Sequence, residues 1–185
     1  MKKMAAIMVA VGLMSGIAFS GIEEAKQLFN EQKYAEAEAE YRKALPELTG
    51  IKAATTQFYV GSCLQMQKKY EEAIEEYRKV EKMEGATAEI LSYAVYRIGV
   101  CLQAVKKYDQ AIEEYRRVEK IEKVPGYRVA LAAFGIGRCY EIQKKNQEAL
   151  AEYRKIETIP GAPKQQIEQA KVRIAYIENL AKPKE

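Results

Sequence analysis

An all-α array of stacked helix pairs is the fold class this sequence predicts, and three observations predict it. The stretch GSCLQMQKKYEEAIEEYRKV, from Gly61 to Val80, returns from Gly99 to Val118 and again from Gly137 to Ile156, with the same step each time. The first two copies agree at 14 of 20 positions, more than shared composition gives two amphipathic helices. Self-similarity at a fixed step of this size marks a repeat array. Within each copy, apolar residues recur at three- and four-residue steps, the period of one helix face. No stretch shows the strict alternation of a strand, and Gly85, Pro125, Gly126, Pro160 and Gly161 fall between the helical segments.

Composition agrees with a folded helical chain of 185 residues: 48% apolar, 30% charged and five prolines. Histidine is absent, which removes the commonest general base and the commonest metal ligand together. The formal charge of +4 falls to +2 without Lys2 and Lys3, too slight a balance for a nucleic-acid binder.

The N-terminus, MKKMAAIMVAVGLMSGIAFSG, places two lysines before an apolar run from Met4 to Met14, with Ala18-Phe19-Ser20 ahead of Gly21. This is the three-part build of a secretory signal peptide over residues 1–20. The run falls short of the roughly 20 residues that span a bilayer. The rest of the chain, 21–185, is expected to be exported, to the periplasm or beyond. Its repeats are placed at 21–48, 50–85, 87–123 and 126–159, with a capping helix over 163–181.

Helices are expected over 22–32 and 35–45, ended by Pro46, then over 51–67 and 71–84. Gly85-Ala86-Thr87 breaks the chain, and Thr87 is placed to cap the next helix. Helices over 88–105 and 109–122 follow, then Val124-Pro125-Gly126, then helices over 127–143 and 147–158. After Pro160-Gly161-Ala162-Pro163 a last helix, 164–180, has no partner and is placed to cover the final pair. On the second helix of each unit, Tyr70, Ala73, Ile74, Tyr77 and Val80 form the buried stripe. Glu75 with Lys79 and Glu113 with Arg117 are spaced for i,i+4 pairing, and Glu75-Glu76 read as an outward, solvated face.

These residues carry a family resemblance. Gly61, Leu64, Tyr70, Ala73 and Tyr77 resemble the signature of the tetratricopeptide repeat (TPR), as do Gly99, Leu102, Tyr108, Ala111 and Tyr115. The third copy keeps Gly137, Tyr140, Ala149 and Tyr153, with Asn146 at the turn. An upstream copy keeps Leu28, Tyr34, Ala37 and Tyr41, with Ala25 in place of the glycine. The resemblance implies a right-handed α-solenoid of helix-turn-helix units ending in a C-terminal capping helix. The 38-residue step exceeds the family's 34, and reads as one added turn before each first helix. With its leader, the longer step also resembles periplasmic TPR proteins of the Tol–Pal and outer-membrane assembly type, although the lipid-bearing cysteine of such proteins is missing.

Cys63, Cys101 and Cys139 stand in register, two residues after each glycine. Equivalent positions of stacked repeats lie about one helix spacing apart, roughly 8–10 Å, beyond the reach of a disulfide. They read as small buried hydrophobes. Lys68-Lys69, Lys106-Lys107 and Lys144-Lys145 close each first helix, with favourable charge at a helix C-terminus. They also form a basic ridge open to peripheral membrane contact. No catalytic residue, metal site, cofactor or small-molecule substrate is expected, because no phosphate loop or activated nucleophile is present.

The resemblance implies that the first helices line a concave surface, where Thr55, Phe58, Ser62 and Gln65 face a ligand, as do Tyr93, Tyr96, Val100 and Gln103 in the next unit. The unit after that supplies Leu131, Phe134, Arg138 and Glu141. Phe58, Tyr96 and Phe134 follow one another at the repeat step, as do Tyr93 and Leu131, which defines one aromatic strip with Arg97 and Arg138 beside it. The expected activity is a non-catalytic protein-interaction scaffold of the cell envelope that takes an apolar peptide or partner helix on this strip. In the alternative, the same surface joins copies of the chain into a homo-oligomer, and the strip could also be ordinary core. Cleavage before Gly21 is the first prediction: intact-mass analysis of exported protein should show Gly21 as the first residue, whereas retained Met1 would restore an anchored N-terminus.

Overall fold

The computed structural model describes residues 20–180, so the expected signal peptide lies almost wholly outside the described residues. Every regular element among the described residues is helical. In chain order they are α1 (20–30), α2 (Tyr34–Ala44), α3 (Gly50–Met66), α4 (Tyr70–Glu81), α5 (Ala88–Ala104), α6 (Tyr108–Glu119), α7 (Gly126–Ile142), α8 (Asn146–Lys155) and α9 (Lys164–Leu180). Single 3-10 turns follow α2 and α8. No helix among the described residues is long and apolar enough to cross a membrane.

The chain divides into two compact units, Met1–Ile90 and Leu91–Glu185, with the division inside α5 rather than between repeats. In the first unit α3 packs against both α2 and α4. Thr87 caps α5, its hydroxyl accepting from the Ile90 N–H at 3.4 Å. In the second unit α7 packs against α6 and α8, and α9 lies on α7 and α8. The buried face of α9 supplies Ala170 and Ile177 to the core formed with Tyr153 and Ile156.

One arrangement recurs in each unit. The rings of Tyr77, Tyr115 and Tyr153 are buried where Gly61, Gly99 and Gly137 leave room on the preceding helix. A Cβ on Gly99 would stand 2.6 Å from the Tyr115 ring, and one on Gly137 the same distance from Tyr153. Glycine is required for close approach here. Each hydroxyl then donates to the side chain twelve residues back: Tyr77 to Gln65 at 2.8 Å, Tyr115 to Gln103 at 3.1 Å, Tyr153 to Glu141 at 2.9 Å. Tyr41 occupies the equivalent place on α2, but twelve residues before it stands Phe29. Its buried hydroxyl finds no hydrogen-bond partner among the described residues.

The turns explain the lysine pairs. Lys68, Lys106 and Lys144 adopt positive φ (63°, 62° and 61°), as does Gln32 (63°) after α1. The next N–H reaches back over the helix end, Lys69 to Leu64 O, Lys107 to Leu102 O and Lys145 to Tyr140 O, each at 2.9 Å. This is a left-handed helix cap of the kind glycine usually supplies. The stripe on α4 is buried at Ala73, Tyr77 and Val80, with Tyr70 and Ile74 at its half-buried edges.

Two expectations are corrected. Glu76 does not face solvent: it is buried and accepts from Gln57 Nε2 at 2.5 Å and from Arg42 at 2.8 Å. Burial would raise its pKa, but the hydrogen bonds from Lys79, Arg42 and Gln57 together hold it below the usual carboxylate range. Consequently Lys79 pairs with Glu76 at 2.8 Å and Arg117 with Glu114 at 2.5 Å, a spacing of three rather than the four expected to Glu75 and Glu113. A buried carboxylate needs its cation more than an exposed one does.

The three cysteines are buried and free, and burial pushes the Cys63 and Cys139 thiols up to about 12. Tyr115→Phe, which strands Gln103, should destabilise the protein by about 0.5–1.5 kcal/mol. Tyr41→Phe removes an unmet hydroxyl and should leave the thermal midpoint unchanged or raise it, as paired melts of the two variants will check.

Candidate functional site

Of the residues on the expected strip, Phe58 lies in the first unit and the others in the second. Phe58 is 7% exposed; its ring meets Tyr77 at 5.3 Å and Tyr59 edge-on at 5.8 Å, so it is packed as core. Tyr96 and Phe134 make the same ring contact, to Tyr115 at 5.6 Å and Tyr153 at 5.3 Å, yet both remain half-buried. The residue that follows also differs. Tyr59 covers Phe58, whereas Tyr96 and Phe134 are followed by Arg97 and Gly135.

Within the second unit the structure brings Tyr96, Phe134 and Arg138 to one groove of about 390 Å³ between α5 and α7. Its floor is the Tyr115 ring, with Gly135 beside it. Val100, Gln103 and Ala104 complete the α5 side, Ala104 being exposed. A Cβ on Gly135 would meet the Tyr115 ring at 2.7 Å, so a side chain at this position would press on the floor. Tyr96 and Phe134 thus each give one face to a buried tyrosine and contribute to the groove wall.

A second cluster lies at the other end of α5. The Arg128 guanidinium sits over the Tyr93 ring at 3.8 Å, with the Tyr127 ring at 4.9 Å and Tyr96 at 6.0 Å. Arg97 approaches the same Tyr93 ring at 5.0 Å and donates to the Tyr93 hydroxyl at 3.0 Å. Stacking of this kind offsets some of the cost of burying a cation. Arg128 is 5% exposed and donates to Tyr127 Oη at 3.2 Å, while its Nε has no hydrogen-bond partner among the described residues. Burial holds the Tyr96 hydroxyl above the ordinary tyrosine range, against the opposing pull of Arg97 and Arg128. Leu131 is half-buried on α7.

Sequence reasoning missed Arg128. A signal existed: position 128 stands one repeat step after Ile90, so a cation takes the place that is apolar in the preceding repeat. Ser62, Gln65, Gln103 and Glu141, expected to face a ligand, each accept a buried tyrosine hydroxyl, Ser62 from Tyr77 at 3.2 Å. No cluster of three or more His, Cys, Asp or Glu placed to hold a metal occurs among the described residues. The surface presents rings, two guanidiniums and an amide.

The tetratricopeptide repeat model matches residues 22–86 and 94–163. A solved structure described as the crystal structure of YrrB, a TPR protein with an unusual peptide-binding site, matches with a TM-score of 0.59 and 22% identity, covering 95% of this chain and 86% of that one. At that identity the likeness carries the fold alone. No curated protein matches the sequence. The family model spans most of the chain, and its repeats are the helix pairs locked by Tyr77, Tyr115 and Tyr153: this chain belongs to the tetratricopeptide repeat family.

Proposed function

We propose that this chain is a non-catalytic scaffold of the cell envelope that takes an apolar peptide or partner helix on the first-helix face of its second unit. The observation that carries the reading is the groove bordered by Tyr96 and Phe134, whose rings are half-buried while their counterpart Phe58 is covered. A protein that leaves such rings at a groove edge gains from covering them. Tyr93 and Leu131 extend the face, and Arg97 and Arg138 supply positive charge beside it. Peptide recognition is the mode that the description of a TPR protein of like fold names for that protein, and the same mode is proposed for this groove. Placement in the envelope rests on the leader-like N-terminus, and the exposed lysine pairs offer a basic edge to acidic head groups.

Self-association is the second reading, and one observation favours it. Val172, Tyr176 and Leu180 stand at four-residue steps on α9 and are 65%, 50% and 62% exposed. The solution mass of the purified chain separates the two readings, a monomer favouring peptide capture.

The test of the groove uses Tyr96→Ala and Phe134→Ala against a partner recovered from the envelope fraction with the unaltered protein. Each truncation should cost about 1–4 kcal/mol of binding. Because both rings also touch buried tyrosines, some loss of thermal stability is expected, and affinities are to be compared well below the melting range. Reduced stability with unchanged affinity would make these residues core alone.

A further inference from the structure

The groove beside Tyr115 exists because of what stands at one repeat position. Tyr59, Arg97, Gly135 and Arg173 occupy that position in turn, each one repeat step after the last. In the first unit Tyr59 stacks on Tyr41, ring centroids 5.4 Å apart and planes 14° from parallel. On α9, Arg173 reaches Glu141, the residue that accepts the Tyr153 hydroxyl, with its Nε 3.1 Å from Oε2. At both places the chain covers its own buried tyrosine or that tyrosine's acceptor. At Gly135 the helix backbone itself lies against the Tyr115 ring, which is 1% exposed, and because no side chain extends from that position a groove lined by Tyr96, Phe134 and Gln103 stays open beside the ring.

Polarity at this gap is the reverse of that at α9. Glu141 is an acceptor, and the protein fills its surroundings with a guanidinium. The corresponding Gln103 is neutral; its Oε1 is taken by the Tyr115 hydroxyl, and its amide nitrogen makes no hydrogen bond among the described residues. Arg138, half-buried at the rim, likewise has neither hydrogen bond nor ion pair among the described residues. No side chain lining the groove is acidic. Two unspent donors, one charged, stand beside the Tyr96 and Phe134 rings. A charged donor of this kind binds a carboxylate more strongly than a neutral acceptor.

Building on the groove reading above, we infer that this gap is a specificity pocket. It takes one large apolar side chain of a partner segment, with a neighbouring aspartate or glutamate held by Arg138 and the Gln103 amide. The apolar side chain packs against the half-buried Tyr96 and Phe134 rings, and the carboxylate supplies the charge that α9 supplies with opposite sign at Glu141.

The test is selection of random twelve-residue peptides, displayed with their C-termini fused so that no free terminal carboxylate is offered, on the chain from Gly21 to Glu185. Recovered peptides should pair a large apolar residue with Asp or Glu within about three positions. Their affinity should fall at least tenfold on Ala104→Trp, which fills the groove from its exposed edge, and on Arg138→Glu. Arg138→Lys should retain most of it. Thermal midpoints of the three variants should stay near that of the parent. Loss on Ala104→Trp without loss on Arg138→Glu would overturn the acidic assignment. Peptides weakened by Leu131→Ser but not by Ala104→Trp would remove the pocket and leave the groove reading standing. Recovery of no peptide sensitive to either variant would sink both.

Discussion

Everything else in this fold leans on one contact, a tyrosine ring laid against a glycine of the preceding helix. Tyr77, Tyr115 and Tyr153 bring the second helix of a unit so close to the first that only glycine fits beneath them. The ring buries a large apolar area, and its hydroxyl is met by a side chain twelve residues back, so a polar group is buried without loss. Contact and hydrogen bond together fix both the separation of the two helices and their register. The aromatic residues of the groove are positioned by the same rings, since Tyr96 and Phe134 rest on Tyr115 and Tyr153.

The groove then arises by omission. The position that carries Tyr59 in the first unit and Arg173 on α9 carries Gly135 in the second unit, and a groove opens beside the sealed Tyr115 ring. Arg173 shows how a repeat is closed: α9 brings a guanidinium to Glu141 and seals the last tyrosine pair. The same repeat chemistry thus yields a filled edge at the end of the array and an open groove within it, with two differences at equivalent positions, Gly135 for Arg173 and Gln103 for Glu141.

The helices were legible to within a few residues because period and punctuation report them directly. Tyr70, Ala73, Tyr77 and Val80 specify a helix face whatever it packs against. The left-handed caps were not legible, because lysine stands at 68, 106 and 144 where glycine would have signalled them. Glu76 was misread for a related reason. A glutamate in a run of charges looks solvated until Gln57 and Arg42, which come from other helices, are seen to converge on it. Among the candidate site residues, Phe58 and Tyr96 are equivalent by repeat arithmetic, yet Phe58 is buried and meets the Tyr59 ring edge-on, whereas Tyr96 is half-buried and followed by Arg97. Period locates a position. Its neighbours decide whether that position is core or surface.

The central claim is therefore that Tyr96 and Phe134 border an open groove while the tyrosines beneath them are sealed. Hydroxyl-radical footprinting of the folded chain, read residue by residue by mass spectrometry, tests it without knowledge of any partner. The account predicts that Tyr96 and Phe134 are oxidised at rates well above those of Tyr77, Tyr115 and Tyr153, with Phe58 grouped among the protected rings. Protection of Tyr96 and Phe134 equal to that of Tyr115 would contradict it.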